Sequence, residues 1–136
     1  MQFIAYLDFK GNCRAAFDVY RDVFKGDIKM RMTYGDSPMG DEMPADSHNL
    51  IMHTLLEADG AVLMGADGPP PHSEPGQGAC ININVDTPEE AQRIFNALSA
   101  GGDVQMPLQE TFWALRWGSF TDRFGRPWMI NCMEEV

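Results

Sequence analysis

The chain has 136 residues, of which 44% are hydrophobic and 22% charged, as is typical of one globular domain with a substantial core. Its formal net charge of −10 argues against a nucleic acid partner, because phosphate binding needs a Lys/Arg-rich surface. No apolar run reaches membrane-spanning length, so no membrane partner is expected. The N-terminus lacks the basic region of a signal peptide, and an odd set of cysteines without a close pair predicts reduced thiols in a cytoplasmic protein: Cys13, Cys80 and Cys132.

The first half of the chain predicts a strand, a helix and three further strands. Residues 2–9 form an apolar strand, and Asn12 is positioned as the N-cap of a helix that runs to about Lys25 and stops at Gly26. Strands are then predicted at 27–34, 49–57 and 61–66. The acidic loop 35–47 is interpreted either as a mobile lid or as a disordered connector.

The second half predicts the same order of elements. A strand at 79–85 precedes Thr87-Pro88-Glu89-Glu90, which combines an N-cap, a proline in the first helical turn and a capping-box glutamate. The helix ends at Gly101-Gly102. Strands follow near 103–109, 112–121 and 127–133.

A shared local sequence follows each predicted helix, Gly26-Asp27-Ile28-Lys29-Met30 in one half and Gly102-Asp103-Val104-Gln105-Met106 in the other. Such self-similarity indicates a duplicated βαβββ unit and an α+β fold. We therefore predict a single domain, 1–136, built from repeat units of about 2–66 and 79–133. The Pro- and Gly-rich segment 67–78 is predicted to link them.

Three motifs resemble the PhnB-like branch of the vicinal-oxygen-chelate superfamily, which includes glyoxalases, bleomycin-resistance proteins and dioxygenases. They are Gly11-Asn12-Cys13, the segment Gln109 to Ala114, and the segment Thr121 to Asn131. The resemblance covers essentially the whole chain and implies two βαβββ units that form open cup-shaped sheets and pair in a homodimer. Members are sometimes labelled 3-demethylubiquinone-9 3-methyltransferase-like, although the sequence has no Gly-rich loop of the kind that holds S-adenosylmethionine in a doubly wound sheet.

Metal-dependent members of that superfamily carry His or Glu ligands on the first and last strands of each unit. The resemblance maps these positions to Ala5, Met64, Cys80 and Met129. None of these side chains suits a hard divalent ion, so no metal and no other cofactor is predicted. Met64, Cys80 and Met129 could together bind a soft ion such as Cu(I), or they could simply fill an apolar cup floor.

Polar residues alternate with apolar ones in the strand that opens the second half. If Cys80 faces the cup, Asn82 and Asn84 do so too, whereas Ile81 and Ile83 pack on the helices. Asn131 follows Met129 onto the cup face, and inward amides could orient a polar ligand. A hydrated cup without a function is the alternative.

The remaining candidates lie among aromatic residues and in the third strand. All three tryptophans lie between residues 113 and 128, which suggests a concave aromatic wall. Trp113 could stack on a ligand and Glu110 could bind a charged group, whereas Arg116 is interpreted as structural. His53 could contact a ligand, although a single strand histidine is more often a packed residue.

The sequence leaves three functions open. The first is a non-metal protein that binds a small molecule as a homodimer, with Asn82, Asn84, Glu110, Trp113, Asn131 and His53 as its site. The second is a metal-dependent enzyme of the glyoxalase or dioxygenase type. The third is a structural or regulatory dimer. Whether the protein catalyses a reaction is left open.

Overall fold

The computed structural model of the chain describes residues 1–38, 40–68 and 78–133. The chain divides into two compact units, Met1–Pro75 and Gly76–Val136. Within these described residues, each unit contains one α-helix and one open four-stranded sheet, so the predicted α+β class is confirmed.

The first unit follows the predicted order βαβββ. Its elements are β1 (Ala5–Phe9), α1 (Cys13–Phe24), β2 (Asp27–Thr33), β3 (Ile51–Ala58) and β4 (Ala61–Asp67). The sheet order is β1-β4-β3-β2, with β1 and β4 parallel and the other two pairs antiparallel. β4 therefore runs one residue into the segment that the sequence assigned to the linker, and residues 69–77 of that segment lie outside the described residues.

The second unit repeats this plan. Its elements are β5 (Ile81–Asn84), α2 (Pro88–Ser99), β6 (Asp103–Gln109), β7 (Arg116–Thr121) and β8 (Pro127–Cys132). The sheet order is β5-β8-β7-β6, again with one parallel pair, β5 with β8. In both units the first strand thus pairs with the last.

Each helix packs an apolar face on its own sheet. In the first unit Phe17 meets Phe9 and Tyr20 edge to face, and all three side chains are buried. In the second unit Phe95 of α2 packs edge to face on Phe120 of β7, with ring centroids 5.1 Å apart. Burial of these large rings is the main stabilising contribution within each unit.

One strand prediction was wrong, and one of the two predicted N-caps is in place without its side-chain bond. The predicted strand 112–121 begins only at Arg116, because the Thr111 hydroxyl accepts the backbone N–H groups of Trp113 and Ala114 and forms a turn there. Asn12 occupies the N-cap position of α1 but makes no capping bond with its side chain. In α2 the predicted cap is confirmed, since Thr87 Oγ1 accepts the Glu90 N–H at 3.2 Å.

The acidic loop between β2 and β3 contains two short 3-10 turns, Gly40–Glu42 and Ala45–Ser47. Backbone bonds join its two ends, since Gly35 N–H donates to the His48 carbonyl and Tyr34 N–H to the Leu50 carbonyl. Ser37 and Ser47 are buried. Its interpretation as a lid stays a prediction.

Candidate functional site

The sheet of the second unit has one face on α2 and one face free of its own helix. A Cβ added at Gly118 would lie 2.8 Å from Phe95 of α2, so the side of Gly118 and of its partner Ile130 is the helix side. The opposite side carries the residues that alternate with these. We call it the amide face: Asn82, Asn84, Trp117, Ser119, Met129 and Asn131.

The amide face brings together three of the predicted site residues. Asn82 Nδ2 donates to Asn84 Oδ1 at 2.7 Å, and Asn131 Nδ2 donates to the same oxygen at 3.4 Å. Asn131 Oδ1 is buried and has no hydrogen-bond partner within the part of the chain that the structure describes. A buried acceptor without a donor costs about 1–3 kcal/mol, so a donor from outside the unit would be stabilising here.

An aromatic cluster adjoins this network. Trp117 is the cross-strand partner of Asn131, and Trp113 packs on Trp117 with centroids 5.7 Å apart. Phe112 meets Trp113 edge to face at 4.7 Å and is 98% exposed. The sequence did not predict that Trp117 lies beside Asn131. The alternation of residues along β7 and β8 could have indicated that both belong to the same face.

The third tryptophan does not belong to this cluster. Trp128 is 2% exposed and its indole Nε1 donates to Asp122 Oδ2 at 2.9 Å. The prediction of an aromatic wall formed by all three tryptophans was therefore wrong, because strand alternation places Trp128 on the side of Ile130, in the core of its unit.

Neither Glu110 nor Arg116 is placed on the amide face. Glu110 is exposed and directly follows β6. Arg116 pairs across strands with Cys132, on the opposite side of the sheet from Trp117, and its Nη1 donates to the Leu115 carbonyl. Burial raises the pKa of the Cys132 thiol.

The first unit also has a sheet face free of its helix. A Cβ at Gly65 would lie 2.6 Å from Phe17 of α1, which makes the Gly65 side the helix side. The alternate residues point the other way, and Met64 among them is the partner of Tyr6 and of Leu55. The mapping of Met64 to this face is therefore confirmed.

The mapping of Ala5 was wrong by one residue. Ala5 pairs with Leu63, which is buried on the helix side, and Tyr6 takes the position opposite Met64. Strand β1 reads Ala-Tyr-Leu-Asp-Phe, with Ala5, Leu7 and Phe9 on one face and Tyr6 and Asp8 on the other, so its alternation could have indicated Tyr6 instead of Ala5.

His53 is the sixth predicted site residue and belongs to the first unit. Its Nδ1 lies 3.0 Å from the Tyr6 hydroxyl, and the two rings stack with centroids 5.7 Å apart. Partial burial, with a smaller contribution from Asp8, raises the pKa of Tyr6. His48 Nε2 lies 3.1 Å from the Met43 carbonyl, and His72 lies outside the described residues.

The donor set does not suit a hard divalent ion. With Tyr6 in place of Ala5, the four positions hold one neutral phenol and the three sulfur side chains Met64, Cys80 and Met129, whereas such ions prefer carboxylate oxygen and imidazole nitrogen. Among residues 1–38, 40–68 and 78–133, no three His, Cys, Asp or Glu side chains come together as a metal cluster. Met64 belongs to the first unit and Cys80 and Met129 to the second, and a soft-metal role for them stays a prediction.

Comparison with known proteins places this architecture in a family. Residues 1–131 match the family model described as 3-demethylubiquinone-9 3-methyltransferase. Protein YjdN of Escherichia coli strain K12 is 30% identical, over 96% of this chain and 94% of YjdN. The crystal structure of PA1353 from Pseudomonas aeruginosa is 46% identical with a TM-score of 0.90, over 99% of both chains.

More distant structures show the fold alone. The PhnB protein from Bacillus cereus is 21% identical with a TM-score of 0.82, over 97% of this chain and 99% of that one. A glyoxalase/bleomycin resistance protein/dioxygenase family enzyme from Burkholderia phytofirmans is 13% identical with a TM-score of 0.65, over 96% and 97%. None of the described helices is long and apolar enough to cross a membrane. The chain belongs to the family described as 3-demethylubiquinone-9 3-methyltransferase, and it shares its fold with the glyoxalase/bleomycin resistance protein/dioxygenase family enzyme.

Proposed function

We propose that the protein is a homodimer that binds a small molecule without a metal, and that the amide face of the second unit holds a planar, polar ligand. The observation that carries the proposal is Asn131 Oδ1, a buried acceptor without a partner among the described residues. A ligand N–H or O–H group would satisfy it.

The family description names a methyltransferase, but each sheet here has four strands and one parallel pair, unlike the doubly wound sheet that usually holds S-adenosylmethionine.

The aromatic cluster supports a planar ligand. Trp113 is 42% exposed and Trp117 stands directly beside Asn131, so a flat ring could stack on an indole while a polar substituent reaches the amide. Quinones and aromatic acids combine these two features. Bleomycin-like compounds, which also carry flat aromatic rings and polar groups, belong in the same test, and phosphonates serve as polar ligands without a planar ring.

A thermal-shift screen with those four compound classes is the first experiment. A ligand at a hundred times its Kd should raise the free energy of unfolding by about 2.7 kcal/mol, which is readily measured as a higher Tm. A screen in which no planar compound raises the Tm would contradict the proposal.

The variant Asn131→Leu then tests whether the unpartnered Asn131 Oδ1 binds any compound that raises the Tm. The substitution removes the unpartnered oxygen at similar volume, so the ligand-free protein should be as stable as the wild type or more stable, while affinity falls about five- to tenfold. Asn96→Ala, an exposed asparagine of α2, is the matched control and should leave affinity unchanged. Loss of stability together with unchanged affinity would make Asn131 a structural residue.

Trp113→Ala separates ligand binding from dimer formation. If Trp113 stacks on the ligand, the variant should bind about 1–3 kcal/mol more weakly and stay dimeric, by analogy with aromatic stacking on bases. If Trp113 lies in the dimer interface, the variant should become monomeric. Tryptophan fluorescence titration and sedimentation on the same sample distinguish the two results. Unchanged affinity in an intact dimer would remove Trp113 from the site.

The edges of both sheets support the dimer. β2 and β6 are edge strands and expose large apolar side chains, with Met30 at 47%, Val104 at 47% and Met106 at 42%. Exposed apolar edge strands favour association. A single species near 15.2 kDa in sedimentation at micromolar concentration would contradict this part of the proposal.

A further inference from the structure

The helix-free face of the first unit carries a hydrogen-bonded pair that the proposed ligand site does not use. Tyr6 on β1 and His53 on β3 are 47 residues apart and are joined by the 3.0 Å contact between the hydroxyl and Nδ1. Tyr6 is 49% exposed and His53 half-buried. Neither side chain has another hydrogen bond within the described ranges.

The chemistry of the contact determines which imidazole nitrogen carries the proton. A phenol is a good donor and a poor acceptor, because its ring withdraws the lone pair of the oxygen, and the raised pKa of Tyr6 keeps that hydroxyl protonated. The favourable arrangement is therefore Tyr6 O–H donating to an unprotonated Nδ1. In the neutral ring this leaves the proton on Nε2.

Thioether and apolar side chains lie beside the pair on this face, and Asp8, two residues after Tyr6, adds one carboxylate on the same side of β1. Met64 is the cross-strand partner of Tyr6, and Met32 is the cross-strand partner of His53. Leu55 and Met30 continue the same face on β3 and β2, where Met30 is 47% exposed. An oriented N–H donor among apolar side chains is the usual composition of a site that orients a small ligand. Methionine side chains also adapt their shape to a bound molecule.

We propose that His53 Nε2–H is the donor of a binding site for a neutral oxygen acceptor, such as a ketone or amide carbonyl, carried on an apolar molecule. Tyr6 is the positioning residue, since it fixes the tautomer and stacks on the ring. The inference rests on residues of the first unit alone and does not depend on the proposed function of the amide face.

The tautomer of His53 is tested by ¹⁵N NMR of the histidine rings. The spectra are recorded at a pH high enough that the rings are neutral and their signals no longer change with pH. His48 provides an internal reference: a carbonyl can only accept, so the 3.1 Å contact with the Met43 carbonyl requires a proton on His48 Nε2. We expect His53 to show the same pattern as His48 in the wild type and a mixture of tautomers in Tyr6→Phe. A proton on His53 Nδ1 in the wild type would overturn the inference.

Recognition is tested with two probes that share a ring and differ in the carbonyl oxygen, acetophenone and ethylbenzene. Acetophenone should bind the wild type about two- to tenfold more tightly than ethylbenzene, as measured from the shifts of the His53 ring signals and nearby methionine methyl signals. His53→Phe keeps a stacked ring without Nε2 and should bind both probes equally, and Tyr6→Phe should retain only part of the preference. Equal binding of the two probes by the wild type, or a preference that survives in His53→Phe, would overturn the proposal.

Discussion

The two units share one plan, and each contains a buried aspartate that gathers N–H groups, but the aspartates bind different parts of the fold. Asp67 at the end of β4 accepts the backbone N–H groups of Gly11, Cys13 and Ile51. Asp122 after β7 accepts the N–H groups of Phe124 and Arg126 and the indole N–H of Trp128. The donors to Asp67 lie 16 to 56 residues from it in the sequence, whereas the donors to Asp122 lie only 2 to 6 residues from it.

This difference shows that a duplicated architecture can use the same chemical group for two purposes. Asp67 joins the start of α1, the start of β3 and the end of β4, so it stabilises the tertiary arrangement of its unit. Asp122 stabilises one tight turn between β7 and β8 and anchors an indole. The start of α2 is stabilised separately by Thr87.

The largest effect should come from Asp67→Ala. It leaves three backbone donors without their acceptor, two of them at buried residues, and should lower the free energy of unfolding by about 3–5 kcal/mol. Asp122→Ala should cost about 2–3 kcal/mol, because the turn donors can reach water. Urea denaturation measures both. If Asp67→Ala does not fold, Asp67→Asn, which keeps one acceptor oxygen, should lie between Asp67→Ala and the wild type.

Thiol labelling can show in which unit each variant loosens. Cys13 and Cys132 are buried, one in each unit, and Cys80→Ser removes the exposed third thiol. In that background Asp67→Ala should speed the labelling of Cys13 more than that of Cys132, and Asp122→Ala should do the reverse. Equal acceleration of both thiols by either variant would show that the two units open together.

One glycine on the helix side of each sheet, Gly65 in β4 and Gly118 in β7, offers a second comparison with a smaller effect. Gly65→Ala would place a Cβ 2.6 Å from a ring carbon of Phe17 and 2.9 Å from the Leu7 carbonyl oxygen. Gly118→Ala would place one 2.8 Å from Phe95 and 3.0 Å from the Leu108 backbone. Each should lower stability by about 1–3 kcal/mol, with Gly65→Ala the larger because its contacts are closer.

The ring contact at Gly65 has its own control. Phe17→Leu on its own removes apolar contact and destabilises the protein, but in combination with Gly65→Ala it makes room for the new methyl group. The double variant should therefore be more stable than the sum of the two single effects predicts. Strict additivity would mean that the Leu7 carbonyl, and not the ring, causes the strain.

The helix starts give the smallest effect. Thr87→Ala removes the hydroxyl that accepts the Glu90 N–H and should cost about 1 kcal/mol. Asn12→Ala should cost less than about 0.5 kcal/mol, because Asn12 makes no such bond and Asp67 accepts the Cys13 N–H instead. Thermal unfolding measures both, and an Asn12→Ala effect as large as that of Thr87→Ala would contradict this assignment.

The order of elements could be predicted because local signals determine it. Helices α1 and α2 carry clear apolar periodicity, and the Thr87-Pro88 start lies where the sequence predicted it. The faces of Asn82 and Asn84 were also readable, since polar and apolar residues alternate strictly in β5. The start of β7 was not readable, because a single threonine hydroxyl ends the extended segment before it.

The site residues were harder to predict because their partners are distant in sequence. Tyr6 and His53 meet only through the register of β1, β4 and β3, and the alternation within a five-residue strand gives its faces but not its register against strands that are distant in sequence. Asp67 falls in a segment that its Pro and Gly content marks as a linker, so its burial was not apparent either. The ligand roles of Asn82, Asn84, Glu110, Trp113, Asn131 and His53 stay predictions.

The pairing of the first strand of each unit with its last has a consequence for synthesis on the ribosome. β1 leaves the ribosome first, but its hydrogen-bonding partner β4 is the last strand of that unit to be made, and β5 waits in the same way for β8. Until then, β1 has an open edge and α1 lacks part of the sheet on which it packs. Each half of the nascent chain must therefore emerge almost completely before its sheet can close. Because β1 pairs with β4 of the same unit, the sheet of the first half does not have to wait for the second half to be translated.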